Sequence, residues 1–236
     1  MALQENESDG QALFSAVQNL PADNNSALSV QNDFYRMAIQ YQQIMMIYES
    51  AIKQIETKLD ILNEECTVGR KRNPIETVKS RIKSPESISK KLEKKKLPIT
   101  FDSMINNLND IAGVRVICPY ISDIYSVRDI LLKQPDITLI HENDYIQQPK
   151  ESGYRSLHLV IEVPVYLSHS EHKVRVEIQL RTIAMDFWAS LEHELHYKNT
   201  TKVPDSIRRE LYRVAETIAM TDREMEEIAL ELQALD

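Results

Sequence analysis

The chain has 236 residues, 42% of them hydrophobic, which suits one large domain with a sizeable core. Its formal net charge of −8 argues against broad affinity for DNA or for an anionic membrane, and leaves RNA binding undecided. No run is apolar and long enough to span a membrane, and Met1–Gly10 is polar and acidic, unlike a signal peptide, so a cytoplasmic protein is expected.

Residues 1–30 are rich in Asn, Ser, Asp, Gln and Glu and read as a flexible tail, leaving 31–236 as one domain. From Asn32 to Asn63 a helical stripe runs through Phe34, Met37, Ile44, Tyr48, Ile52, Ile55, Leu59 and Leu62. Cys66–Pro74 reads as a basic loop, and Pro74–Arg81 as a short helix with Pro at its first turn. Ser84-Pro85 starts another helix, and a basic cluster (Arg81, Lys83, Lys91, Lys94, Lys95, Lys96) surrounds that start. Such a cluster is either a solvated helix face or a polyphosphate site.

Asn109–Cys118 looks like a strand with Asp110 at its mouth. Ser122–Lys133 is helical, Ile137–Ile140 is a short strand, and Asp144–Lys150 is a loop. Two alternating strands follow, Gly153–Val163 and Lys173–Arg181, joined by a short polar connection as an antiparallel pair. An amphipathic helix begins near Ala184, and a last helix runs from Pro204 to about Leu235. The order gives an α+β fold: a mixed sheet of about five strands, flanked by helices, with long helices at both ends.

The strand pair carries the functional signal. Alternate side chains of a strand point to opposite faces. Val174, Val176, Ile178 and Leu180 therefore face a core, while Lys173, Arg175, Glu177, Gln179 and Arg181 share the other face. On the neighbouring strand Leu157, Leu159, Ile161 and Val163 face the core, and Tyr154, Ser156 and His158 join the polar face. Such a surface is either an edge strand charged against aggregation or the floor of a site for a charged ligand. Tyr154 either packs in the core with its hydroxyl bonded or stacks on a nucleobase. Asp110 and Glu177 could meet beside the basic cluster, as a magnesium-dependent phosphoryl transfer requires, or could serve structural salt bridges. His193 and His196 lack the spacing of a zinc-protease helix.

Two counts narrow the chemistry. The four glycines, Gly10, Gly69, Gly113 and Gly153, are too scattered for a phosphate-cradling loop, so Lys and Arg must hold any phosphates. Cys66 and Cys118 fit no metal or redox spacing and read as reduced thiols.

Four segments carry a resemblance: Asn109–Arg115, Glu151–His158, Val176–Thr182 and Phe187–His193. In order and spacing they closely resemble the synthetase domain of the RelA/SpoT family, and residues 35–230 are similar to its small alarmone synthetases. The resemblance implies a nucleotidyltransferase-like fold and transfer of the β,γ-pyrophosphoryl group of ATP to the 3′-hydroxyl of GDP or GTP, releasing AMP. It implies Mg²⁺ as cofactor and a homotetramer. Arg81 and Arg115 would hold the adenine, and Lys83, Ser87 and Lys91 the ATP phosphates. Asp110 would bind the metal, and Glu177 would bind or adjoin it and act as the base. Tyr154 would stack on guanine, with Lys150, His158 and Gln179 binding the rest of that nucleotide and Glu192 supporting the site.

The chain has no His-Asp dipeptide and little sequence before Arg70, so synthesis without hydrolysis is expected. Some tetrameric relatives place basic residues on the first long helix to bind an alarmone; Glu56 and Asp60 stand there instead. Asp186 occupies a position near guanine where relatives have Asn, and is not assigned a role. A nucleotidyltransferase releasing pyrophosphate, or a non-catalytic nucleotide- or RNA-binding regulator, are the alternatives on such a fold.

Overall fold

The computed structural model describes residues 26–70, 72–198 and 204–235. Most of the expected tail, residues 1–25, lies outside the described residues. The chain divides into two units at Met46/Ile47. The first contributes the start of helix α1 (Ser26–Arg70), and all later elements belong to the second. The helix therefore starts within the stretch read as a tail and continues through Cys66 into the stretch read as a loop. In the second unit Tyr48, Ile52, Ile55, Leu59 and Leu62 are buried, as their spacing implied, whereas Met37 of the first unit is exposed.

The remaining elements are β1 (Thr77–Ile82), α2 (Pro85–Lys94), α3 (Phe101–Asn107), β2 (Ala112–Cys118), α4 (Ile121–Leu132), β3 (Thr138–Asp144), β4 (Leu157–Tyr166), β5 (Glu171–Thr182), α5 (Ile183–Lys198) and α6 (Asp205–Gln233). Five strands form one sheet in the order β1-β2-β5-β4-β3. β2 and β5 run parallel; the other neighbours are antiparallel.

The stretch read as a short helix, Pro74–Arg81, is wrong in kind: it leads into β1. Val78 and Ile82 stand four apart, which fits a helix as well as a strand, so the period is ambiguous over so short a run. Pairing with β2 decides it, from Thr77 opposite Ile117 to Ile82 opposite Ala112. Ser84-Pro85 does start α2, with the Ser84 Oγ accepting from the Ser87 amide at 3.3 Å.

β5 is a central strand, which removes the edge-strand explanation of its charges. Its apolar face is sealed: Val174, Val176, Ile178 and Leu180 are buried together with Leu157, Leu159, Ile161 and Val163 of β4 and Val114 and Val116 of β2. Ile124, Val127 and Leu131 of α4 are buried where that helix packs on β2 and β5. Burying each such side chain contributes roughly 1.5–3 kcal/mol, and that term fixes which face of the sheet points inward. The opposite face is left with the charged side chains.

Candidate functional site

Strand register sets the floor of the site. Residues opposed on neighbouring strands share a face. Lys79, Arg115, Gln179 and His158 form one row across β1, β2, β5 and β4. Arg81, Gly113 and Glu177 begin the next. Gly113 carries no side chain, and Arg81 lies over the space: its Cγ and Nε stand 3.7 Å from where a Cβ would be. Arg81 thus packs over Gly113, on the row that Glu177 continues, at ordinary van der Waals distance.

Asp110 stands just before β2. A backbone hydrogen bond from Lys83 N to Ile111 O (2.8 Å) joins the end of β1 to that entry and delivers Lys83 to the carboxylate. Lys83 Nζ and Lys91 Nζ both donate to Asp110 Oδ2, at 2.8 and 2.6 Å. The other oxygen, Oδ1, is buried with no partner among the described residues. Burial works to raise the Asp110 pKa, but the two ammonium groups outweigh it and hold the carboxyl below its usual range.

Glu177, on the parallel neighbour, accepts from Gln179 Nε2 at 2.9 Å, and His158 Nδ1 lies 3.6 Å from its other oxygen. Burial again raises its pKa, and the adjoining His158 and Gln179 more than offset this, so Glu177 is ionised below the ordinary range. Asp110 is close enough to oppose that shift by repulsion.

The guanine-side residues expected from sequence come together around Tyr154. Its hydroxyl lies 2.8 Å from His158 Nε2 and accepts from Arg181 Nη2 at 2.7 Å. With His158 in the Nδ1–H tautomer its Nε2 accepts from the Tyr154 hydroxyl, so hydrogen bonds run from Arg181 through Tyr154 to His158, and the His158 ring edge faces Glu177. Lys150 Nζ stands 4.7 Å above the Tyr154 ring and 4.5 Å above that of Tyr145. The loop bearing them is closed by Tyr145 N donating to Ser156 O at 3.0 Å. Tyr154 therefore has its hydroxyl bonded and its ring partly packed, yet it remains half-buried at the lip of the site.

Two residues enter that sequence reading did not assign. Arg181 was placed on the polar face but given no role; it is buried and holds Tyr154. Asp186, on the first turn of α5, holds Arg181 at 3.0 Å and Arg115 at 3.3 Å with one oxygen. Charge opposite charge at that distance could not be seen in one dimension, because α5 turns back over the sheet only in the fold. Burial and the nearby Arg181 push the Arg115 pKa down.

Ser87 is exposed on α2 with its hydroxyl 2.9 Å from that of Ser84, at the helix N-terminus rather than in the carboxylate cluster. Glu192 is half-buried further along α5. Among the described residues, four buried side-chain polar atoms have no partner, and three belong here: Asp110 Oδ1, Arg115 Nε and Arg181 Nε. Buried polar groups are normally paired, so these three atoms are left open to a further partner.

A family model described as a region found in RelA/SpoT proteins matches residues 80–202. The chain is 47% identical over 181 residues to the GTP pyrophosphokinase YwaC of Bacillus subtilis, covering 77% of this chain and 86% of that protein. It is 37% identical over 194 residues to the GTP pyrophosphokinase YjbM of the same organism, covering 82% and 90%. The chain belongs to the RelA/SpoT family. Within it, the chain is similar in structure to small alarmone synthetase 1 of B. subtilis bound to its product pppGpp, with a TM-score of 0.75 and 37% identity over 82% of this chain and 98% of that one. Small alarmone synthetase 2 of B. subtilis aligns with a TM-score of 0.72 and 45% identity, covering 79% and 97%. The same synthetase 1 bound to AMPCPP aligns with a TM-score of 0.70 and 34% identity, covering 83% and 98%.

Proposed function

We propose that the chain is a GTP pyrophosphokinase of the small alarmone synthetase type, moving a pyrophosphoryl group from ATP to the 3′-hydroxyl of GDP or GTP. The observation that carries this is the placement of Asp110 and Glu177. Asp110 stands just before β2, and Glu177 lies within its parallel neighbour β5, opposite Gly113 on the polar face, with Lys83, Lys91, Arg81 and Arg115 nearby. The relatives' names and the nucleotide-bound neighbours point to the same chemistry.

In this reading Arg81 and Arg115 flank the adenine, and Lys83, Lys91 and Ser87 receive the phosphates with the N-terminus of α2. Tyr154 stacks on the guanine, with Lys150, His158 and Gln179 nearby and Glu192 in support. The acceptor 3′-oxygen forms its bond to the β-phosphorus. The bond from that phosphorus to the α,β-bridging oxygen breaks, and AMP leaves with the electron pair. The hydroxyl proton passes to the Glu177 carboxylate.

The residues fit a divalent cation, Mg²⁺, of the kind held by one or two carboxylates plus substrate phosphates. Asp110 Oδ1 is unpartnered and Glu177 is ionised beside it. When bound, the ion supplies neutralisation of the triphosphate's charge. Among the described residues no three His, Cys, Asp or Glu side chains are grouped to hold an ion without substrate.

Incubation with ATP, GDP or GTP and Mg²⁺ should give AMP and a guanosine tetra- or pentaphosphate, resolved by ion-exchange chromatography. Inorganic pyrophosphate as the product would replace this reading with nucleotidyl transfer. Absence of turnover with every guanine acceptor would leave a binding protein.

We further propose a homotetramer. Phe187, Leu191 and Leu195 are about half exposed at one-turn spacing on α5, and Met225, Ile228 and Leu232 are similarly exposed on α6. Light scattering at micromolar concentration should give four times the chain mass; a monomer would reject the assembly. Its product should not stimulate it several-fold, because Glu56, Asp60 and Glu76 line a cleft of about 280 Å³ that repels a polyanion. No helix among the described residues is long and apolar enough to cross a membrane.

A further inference from the structure

The loop that carries Lys150 and Tyr154 is held from outside the site, by α6. Gly153 has φ +86°, a conformation that favours glycine, and a Cβ there would lie 2.5 Å from the Ala215 Cβ of α6. The loop backbone therefore rests directly on the helix. Around it the chain closes on itself: Gly153 N donates to Lys150 O at 2.8 Å, and Lys150 N to Tyr154 O at 3.2 Å. Arg155 then ties the turn to the helix. Its Nη1 donates to Gly153 O at 3.1 Å and its Nη2 to Glu216 Oε1 at 2.8 Å. Arg155 is mostly buried, its side chain 12% exposed, whereas Glu216 is 44% exposed. Tyr154 packs against the small cluster of Trp188, Ala189 and Ala215 that joins α5 to α6, and Trp188 Nε1 donates to Leu211 O at 3.2 Å.

Glu216 and Ala215 belong to α6, outside the strands and loop that carry the polar groups of the site. Glu216 meets the loop through Arg155 and also bonds Tyr212 of its own helix, while Ala215 meets Gly153 and the Trp188 cluster. What they fix is the position of the Gly153 carbonyl, and through the next residue the plane of the Tyr154 ring. A base stacks only on a ring held in place, and apparent affinity falls in proportion to the fraction of molecules in which it is so held.

We propose that Glu216 is a positioning residue for the guanine nucleotide: through Arg155 it clamps the Gly153–Tyr154 backbone against α6 and so sets acceptor affinity, with no contact to either substrate. The inference rests on the reading that Tyr154 stacks on the guanine.

Titration of the full chain with fluorescent GDP tests it directly. Glu216→Gln keeps the size of the side chain and removes its charge, and should weaken GDP about tenfold, as expected when a loop loses a charged hydrogen bond. The KM for ATP and the thermal midpoint should change little. Glu210→Gln, which removes the exposed Arg213–Glu210 pair on the same helix, should leave GDP affinity unchanged. In a Tyr154→Ala background Glu216→Gln should have no further effect, since it acts only through that ring. GDP affinity indifferent to Glu216→Gln overturns the inference, as do equal losses for ATP and GDP or full additivity with Tyr154→Ala. No GDP binding by the unsubstituted chain overturns both the inference and the function on which it rests.

Discussion

Glu177→Gln should lower the rate of alarmone synthesis about 10²–10⁴-fold, the usual cost of removing a general base, while ATP and GDP bind within a few-fold of normal. The amide keeps the shape of the side chain and can still face Gln179, so the sheet should hold. What is lost is a carboxylate that His158 and Gln179 keep ionised despite its burial. The direction of that shift also sets a pH dependence. A folded pKa below the usual glutamate value means the base is available at neutral pH, and the acid limb of kcat/KM lies below the ordinary carboxylate range. That limb, if Glu177 sets it, should disappear from the residual activity of the glutamine variant. A near-normal rate in Glu177→Gln would reduce the residue to a charge that holds His158.

Asp110→Asn should separate two functions that the carboxylate now combines. Turnover should fall at least a hundredfold, on the scale of other lost catalytic groups, because the unpartnered Oδ1 no longer carries charge for a cation. Binding of ATP without divalent metal should tighten, by roughly tenfold. Lys83 and Lys91 are both engaged on Oδ2, and unit charges a few ångströms apart interact by about 4 kcal/mol at the effective dielectric of a protein surface, most of which solvent and competing contacts remove. Freed of that anion, both ammonium groups can turn to the triphosphate. Stability should move the other way. The folded Asp110 pKa is depressed, so its contribution is present above the unfolded pKa and is lost as pH falls through the folded value. The thermal midpoint of Asp110→Asn should therefore lie below wild type at neutral pH, and the gap should close on acidification. An unchanged rate with Mg²⁺ would leave Asp110 as a structural anchor for the two lysines.

The sequence made the strands of the site readable and left its cross-links hidden. β5 alternates without a break because one of its faces is wholly buried, and that burial is recorded in Val174, Val176, Ile178 and Leu180. The same rule placed Glu177, Gln179 and Arg181 together. The resemblance then supplied roles for Lys150, Tyr154 and His158, which the fold brings into one cluster. β1 was misread because it is an edge strand with only Val78 and Ile82 half-buried, too few to show a period of two. The Asp186 clamp on Arg115 and Arg181 has no local signature. It depends on where α5 leaves the sheet, and that is set by packing of α5 against α6.

The parallel pairing of β2 with β5 bears on how the molecule assembles. β4 and β5 meet across a short hairpin, from Tyr166 opposite Glu171 back to Leu157 opposite Leu180, so they can zip together early at small loop-closure cost. β2 joins β5 only after α4, β3 and β4 have been threaded between them in the chain. Pairings of that sequence separation form slowly. Asp110 sits at the entry of one partner and Glu177 inside the other, so the two carboxylates come together only when this late step is complete. Recovery of activity after dilution from denaturant should therefore track the slow burial of the central sheet, not the earlier appearance of helix.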